Sequence, residues 1–190
     1  MATSHAPSEP AATAMGGDLP HTLFSRGVSR LLKAIAEGLS WIWLALVAVV
    51  LINVIMRYVL GQGRIEFEEI QWHLFATGFL LGLAPCLDTD QHVRVDVFSA
   101  RASPVTRAWL ELYGLLLLFI PFVVAMIIFS GPFVAYSYSI GEVSGAPGGL
   151  GLRWLIKAVL PLAMTLLLLA GLSRLTRVTA YLFQWPRRVD

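Results

Sequence analysis

NVIMRYVLGQGRIEFEEIQWHLFATGFLLGLAPCLDTDQHVRVD, Asn53 to Asp96, decides the fold. Inside it, Ile70 to Leu87 contains no Asp, Glu, Lys or Arg, and His73 lies near one end. At about 1.5 Å per helical residue this run is roughly 27 Å long, close to the hydrocarbon thickness of a bilayer. Charge returns abruptly on both sides. Arg57, Arg64, Glu66, Glu68 and Glu69 precede the run, and Asp88, Asp90, His92, Arg94 and Asp96 follow it. Lipid solvates neither ions nor unpaired backbone groups, so an apolar filling with charged rims is the pattern of a helix that crosses a membrane.

Working outward, the same pattern recurs. Four spans are expected, at about 39–60, 70–87, 105–136 and 155–175. The fold class is therefore an all-α integral membrane protein with four transmembrane helices and a membrane domain over 23–180. Pro121 and Pro132 are expected to distort the third span on a similar face, and Pro161 the fourth. All six tryptophans (Trp41, Trp43, Trp72, Trp109, Trp154, Trp185) are read as rim residues of an interfacial belt. Residues 1–22, rich in Ala, Pro, Ser and Gly, read as a disordered tail without the basic start and apolar core of a secretory signal. From Leu23 onward Phe24, Val28, Leu31, Leu32, Ile35 and Leu39 recur at helical spacing, with Arg26, Arg30, Lys33 and Glu37 opposite. That amphipathic N-terminal segment either lies on the membrane surface or extends the first span. Residues 181–190 form a basic tail. Of fourteen Lys and Arg, ten fall on the side of the termini and the 2–3 loop. The positive-inside rule then puts both termini in the cytoplasm.

Composition agrees and excludes much else. Hydrophobic residues make up 57% and charged residues 14%, and the mean hydropathy is +0.72. Soluble domains carry about 25% charged residues. A net charge of +2, with the basic residues at span ends, gives no nucleic-acid surface. Cys86 is the single cysteine, which rules out an internal disulfide or a Cys-based metal site within one chain. No cofactor is expected: there is no intramembrane histidine pair for a haem and no HExxH spacing, and a metal at His92 with the neighbouring Asp residues is disfavoured. GEVSGAPGGLG, Gly141 to Gly151, lacks the ending of a phosphate-binding loop and reads as a flexible connection.

The polar residues that remain are structural candidates. Asn53 and Arg57 stand one turn apart on one face of the first span. Arg57 is expected to pair with Glu68 or Glu69 and clamp spans one and two, the alternative being an interfacial anchor with a solvated head. Gly78 and Gly82 form a small-xxx-small pair on which another helix can approach. His92, Arg94 and Asp96 alternate with valines in an extended return loop suited to capping or docking. No acid occurs near the middle of a span, so a transported ion has no acidic ligands there.

NVIMRY (Asn53 to Tyr58), the downstream Glu68–Glu69 pair, FLLGLA (Phe79 to Ala84) and HVRVD (His92 to Asp96), in this order and on a four-span plan, resemble the small permease subunit, DctQ type, of tripartite ATP-independent periplasmic (TRAP) transporters. The resemblance covers about Arg30 to Arg177. It implies a bacterial inner-membrane protein beside a large multi-span permease that holds the substrate and sodium sites. A periplasmic substrate-binding protein would deliver an organic acid to that permease. The small subunit would then be a non-enzymatic scaffold that contacts partner protein and membrane lipids. Asn53, Arg57, Glu68, Glu69, Gly78, Gly82, His92, Arg94 and Asp96 would serve hairpin geometry and partner docking. The N-terminal tail and the Gly-rich 3–4 loop depart from the family pattern. Two other classes stay open: a self-sufficient small oligomeric transporter and a membrane-anchor subunit of an enzyme complex.

Overall fold

The computed structural model describes residues 19–91 and 103–186. His92, Arg94, Asp96, the first eighteen residues and the last four lie outside them. Among the described residues four helices are long and apolar enough to cross a membrane: α1 (Leu23–Tyr58), α2 (Ile65–Asp88), α3 (Pro104–Ser139) and α4 (Arg153–Phe183). No strand occurs among these residues. One end of the bundle carries the α1–α2 turn and the α3–α4 loop, and is here called the loop end. The other, the termini end, carries the start of α1 and the close of α4.

α1 begins at a capping box. The Thr22 hydroxyl accepts from the Ser25 N–H at 3.1 Å, and the Ser25 hydroxyl accepts from the Thr22 N–H at 2.9 Å. This satisfies two of the donors that a helix start leaves open. From there the helix runs unbroken for 36 residues, about 54 Å at 1.5 Å each, which exceeds a bilayer hydrocarbon core. The amphipathic N-terminal segment is thus an extension of the first helix. Its Val28 and Leu32 are buried against α2 and α4, while Phe24 and Leu31 stay about half exposed.

α4 is the spine of the bundle. It touches all three other helices, α1 packs on α2 along its length, and α3 packs chiefly on α4. The core consists of Val28, Leu32, Ala84, Val123, Met164, Leu167 and Ala170. The alanines among them let the axes approach closely. The α1–α2 register places Trp43 against the middle of α2, where a Cβ added to Gly78 would lie 3.2 Å from the indole. Trp43 is therefore a mid-span packing residue and not part of the rim belt expected for it. Nothing lies within 4 Å of the corresponding position at Gly82, so only Gly78 of the small-residue pair supports packing inside this chain.

α3 widens into a π turn at Gly114–Phe119, closed by the Ile120 N–H donating to the Leu115 carbonyl. Pro121 explains its place. Its ring has no N–H and would collide with the carbonyl four residues back, at Leu117, and a wider turn moves that carbonyl aside. The distortion expected at Pro121 therefore falls ahead of it, whereas Pro132 sits within continuous helix. The wide turn presents Phe119 to Gly171 of α4, where an added Cβ would come within 2.3 Å of the ring. Only a residue without a side chain fits there.

Leu19 to Thr22 fall inside the tail expected over 1–22, yet they pack on the bundle. Leu19 is 3% exposed among Ala108, Leu112 and Val178.

Candidate functional site

The charged groups of the described residues collect at the two ends of the bundle. At the loop end, Glu68 and Glu69 are about 100° apart around α2 and serve different partners. Glu68 pairs with Arg57 across the α1–α2 turn, with side chains 47% and 49% exposed. The Glu69 carboxylate turns the other way, accepting from the Ser144 hydroxyl and from the Leu150 N–H, the latter at 2.6 Å. Of the two pairings expected for Arg57, the one with Glu68 forms.

Glu69 organises the Gly-rich connection. Around it, Ser144 N–H donates to the Leu150 carbonyl at 3.0 Å, Gly149 N–H to Ala146 at 2.9 Å, and Arg153 N–H to Glu142 at 3.2 Å. Gly148 takes φ +78°, and a Cβ at Gly149 would lie 2.4 Å from that of Ser144. Glycine is needed here to let the loop close on itself. The segment expected to be flexible is instead a folded cap over the start of α2. Glu142 adds ion pairs to Lys157 and, at 3.9 Å, to Arg153. The Lys157 ammonium holds the Glu142 carboxyl below its ordinary range. Lys157 also lies 4.2 Å from the Phe133 ring centre, and Arg153 is 5.8 Å from that of Trp72.

Asn53, though one turn from Arg57, is only 8% exposed, and its Oδ1 finds no hydrogen-bond partner among the described residues. Asn53 and Arg57 therefore sit in different surroundings. His73 stacks on Trp72 with its Nδ1 at the Glu69 carbonyl, a packing role.

At the termini end the structure shows a group that the sequence reading missed. Arg174 of α4, 2% exposed on its side chain, pairs with Glu111 of α3 and with Asp90 just past α2, the latter at 2.9 Å. One guanidinium thus ties three helices together. Arg177, one turn on, is 4% exposed and reaches the Leu19 carbonyl at 3.5 Å. Thr176 meets Thr22 at 3.2 Å. Both arginines are among the ten basic residues that set the orientation, yet they lie within α4, which continues past them to Phe183. A signal was available: Met164, Leu167, Gly171, Arg174 and Val178 recur at three- and four-residue spacing, so Arg174 continues the buried stripe of α4.

These arrangements position helices and a loop. Residues 46–180 match the family model described as tripartite ATP-independent periplasmic transporters, DctQ component, and the chain belongs to that family. Family and helices together make it a multi-pass membrane protein and a component of a TRAP transporter. Comparison with curated proteins gives no match.

Proposed function

We propose that this chain is the small membrane subunit that scaffolds the large multi-span permease of a TRAP-type transporter in the bacterial inner membrane, with both termini cytoplasmic. The large subunit would perform sodium-coupled uptake of an organic acid handed over by a periplasmic substrate-binding protein. One observation carries this reading. Charged residues and histidines crowd both ends of the four helices, and no Asp, Glu, Lys, Arg or His occurs from Ser40 to Met56, Leu74 to Leu87, Leu112 to Ser139 or Ala158 to Ser173. Secondary transporters hold substrate and ion near the bilayer midplane, on broken helices with polar ligands. These stretches offer no charged ligand, and the π turn found among the described residues, GLLLLF, is apolar. It is built to be positioned and to pack.

Support for docking comes from what the bundle leaves uncovered. Leu117, Leu118, Phe122 and Phe129 of α3 and Leu44, Val47 and Leu51 of α1 are more than half exposed. Gly82 has open space above it, suited to a partner helix. Arg57 with Glu68 and Glu69 with its loop fix the outer end, while Asn53, Gly78 and Gly82 serve the helix faces. His92, Arg94 and Asp96 are assigned to docking on the inner side. The test is co-purification with the large subunit, followed by uptake in liposomes with the binding protein present. The complex should transport, the chain alone should not, and Arg57→Glu should reduce the recovered large subunit. Solute flux through the chain alone would overturn the scaffold reading.

A further inference from the structure

A half-open cavity of about 650 Å³ lies at the termini end, between the first turns of α1, the end of α2 and Arg177 of α4. That volume lies in the ~300–1,000 Å³ range of sites that enclose a small organic group. Its polarity is graded along the bundle axis. Lys33 on α1 and Asp88 on α2 lie toward the termini end, while Ala36 and Pro85, each three residues further toward the loop end, make the lining there apolar. A soluble ion has no use for an apolar floor. A lipid, whose polar head continues into acyl chain, matches both levels.

The lining carries both signs of charge. Lys33 and Arg177 supply two cations. The C-terminal end of the 24-residue α2, whose macrodipole is negative, adds the Asp88 carboxylate. Asp90 is engaged by Arg174, whereas no direct ion pair of Asp88 is found among the described residues. An anionic headgroup would be attracted by the cations and repelled by the carboxylate. A headgroup with a phosphate and an ammonium satisfies both.

We propose that this cleft binds a zwitterionic phospholipid of the phosphatidylethanolamine class, its phosphate held by Lys33 and Arg177 and its primary ammonium donating to Asp88. The assignment requires the four-span placement but not the identity of the protein partner, so its failure would leave the scaffold reading intact. Three N–H donors distinguish ethanolamine from choline, whose methylated ammonium cannot hydrogen-bond to a carboxylate.

The test is native mass spectrometry of the full chain, stripped of endogenous lipid. It is then offered equimolar phosphatidylethanolamine, phosphatidylcholine and phosphatidylglycerol with identical dioleoyl chains. Wild type should retain phosphatidylethanolamine about tenfold over phosphatidylcholine, the discrimination that one charge-assisted hydrogen bond supplies. Asp88→Asn should bring that ratio toward unity. Lys33→Gln should lower the occupancy of both while preserving their ratio. The ratio is an internal comparison on folded protein, so partial unfolding of a variant does not imitate it. Equal retention of ethanolamine and choline lipids by wild type, or a ratio indifferent to Asp88→Asn, overturns the proposal. Preference for phosphatidylglycerol would show an anionic-lipid site instead. Displacement of the lipid by millimolar inorganic phosphate would show a soluble-anion site.

Discussion

Removing the charge of Arg174 should cost far more than removing that of Arg57, although both arginines join helices through a glutamate. The difference is burial. Arg174 is 2% exposed, with Asp90 at 8% and Glu111 at 14%, whereas Arg57 and Glu68 are 49% and 47% exposed. Arg174→Met takes from two nearly dry carboxylates the guanidinium that engages both of them. Breaking a buried pair by deleting one partner typically costs about 3–5 kcal/mol, since the survivor keeps its desolvation penalty. Water takes over the survivor in an exposed pair, so Arg57→Met should cost under about 1 kcal/mol. Reversible unfolding in mixed micelles, followed by tryptophan fluorescence over an SDS titration, gives both values on one scale. A second variant separates charge from shape. Adding Glu111→Leu to Arg174→Met removes one of the two carboxylates that lost the guanidinium and should recover part of the loss, with a coupling energy of at least about 1 kcal/mol. Equal costs for the two arginine variants, or a double variant as unstable as the sum of its parts, would refute the argument.

The glycines give a sharper steric contrast. Gly171→Ala drives a methyl into Phe119 and should destabilise by about 1–3 kcal/mol, while Gly82→Ala, in open space, should be neutral or better in the isolated chain; the same titration reads both. Glu69→Gln keeps the shape of the side chain but loses the charge that holds Ser144 and Leu150, so amide exchange across 144–150 should accelerate several-fold with the helices unaffected. Glu142 gives a pH signature. Its carboxyl is held below the ordinary value near 4.5 by the Lys157 hydrogen bond, so its contribution is complete above that value and is lost as pH falls through the depressed one. Wild-type stability should therefore decline more steeply below about pH 4.5 than that of Glu142→Gln, and parallel declines would show that the ion pair is not formed.

How much of this was legible depended on whether a feature is local. Span number followed from apolar run length, because twenty residues without charge have few homes outside a bilayer. A pairing of Arg57 with one of the two acids was legible too, since a short turn leaves few partners, but which acid it takes was not. Glu69 was not: its hydrogen bonds reach residues 75 and 81 positions away, and no local pattern marks which of two adjacent acids turns inward. Trp43 misled for a related reason. A tryptophan near a span start suggests the interface, but the register of α1 on α2, set by Val28 and Leu32 below and Arg57 above, carries it to Gly78. Arg174 and Arg177 were counted as orientation markers, and a count ignores which face a residue occupies. Their three-residue spacing, read as a continuation of the α4 stripe, pointed inward.

The placement of the ties also constrains what the chain can do mechanically. Ionic contacts bind α4 to α2 and α3 at the termini end, and the folded 3–4 cap binds α4 to α2 at the loop end. With the spine pinned at both extremities, rocking of one half against the other would have to break a buried ion pair or the Glu69 anchor. The π turn of α3, the natural place for a hinge, is closed by Phe119 seated on Gly171. A subunit that moves solute must alternate between two packings of similar energy, whereas this one has invested its polar contacts in a single packing. Rigidity at the ends with apolar faces left open between them suits a part that stays still while a neighbour moves. Restraining α3 to α4 by a cross-link near Phe119 and Gly171 should accordingly leave uptake by the assembled transporter unchanged. A cross-link that arrests uptake while the complex stays assembled would show that this helix pair moves during the cycle.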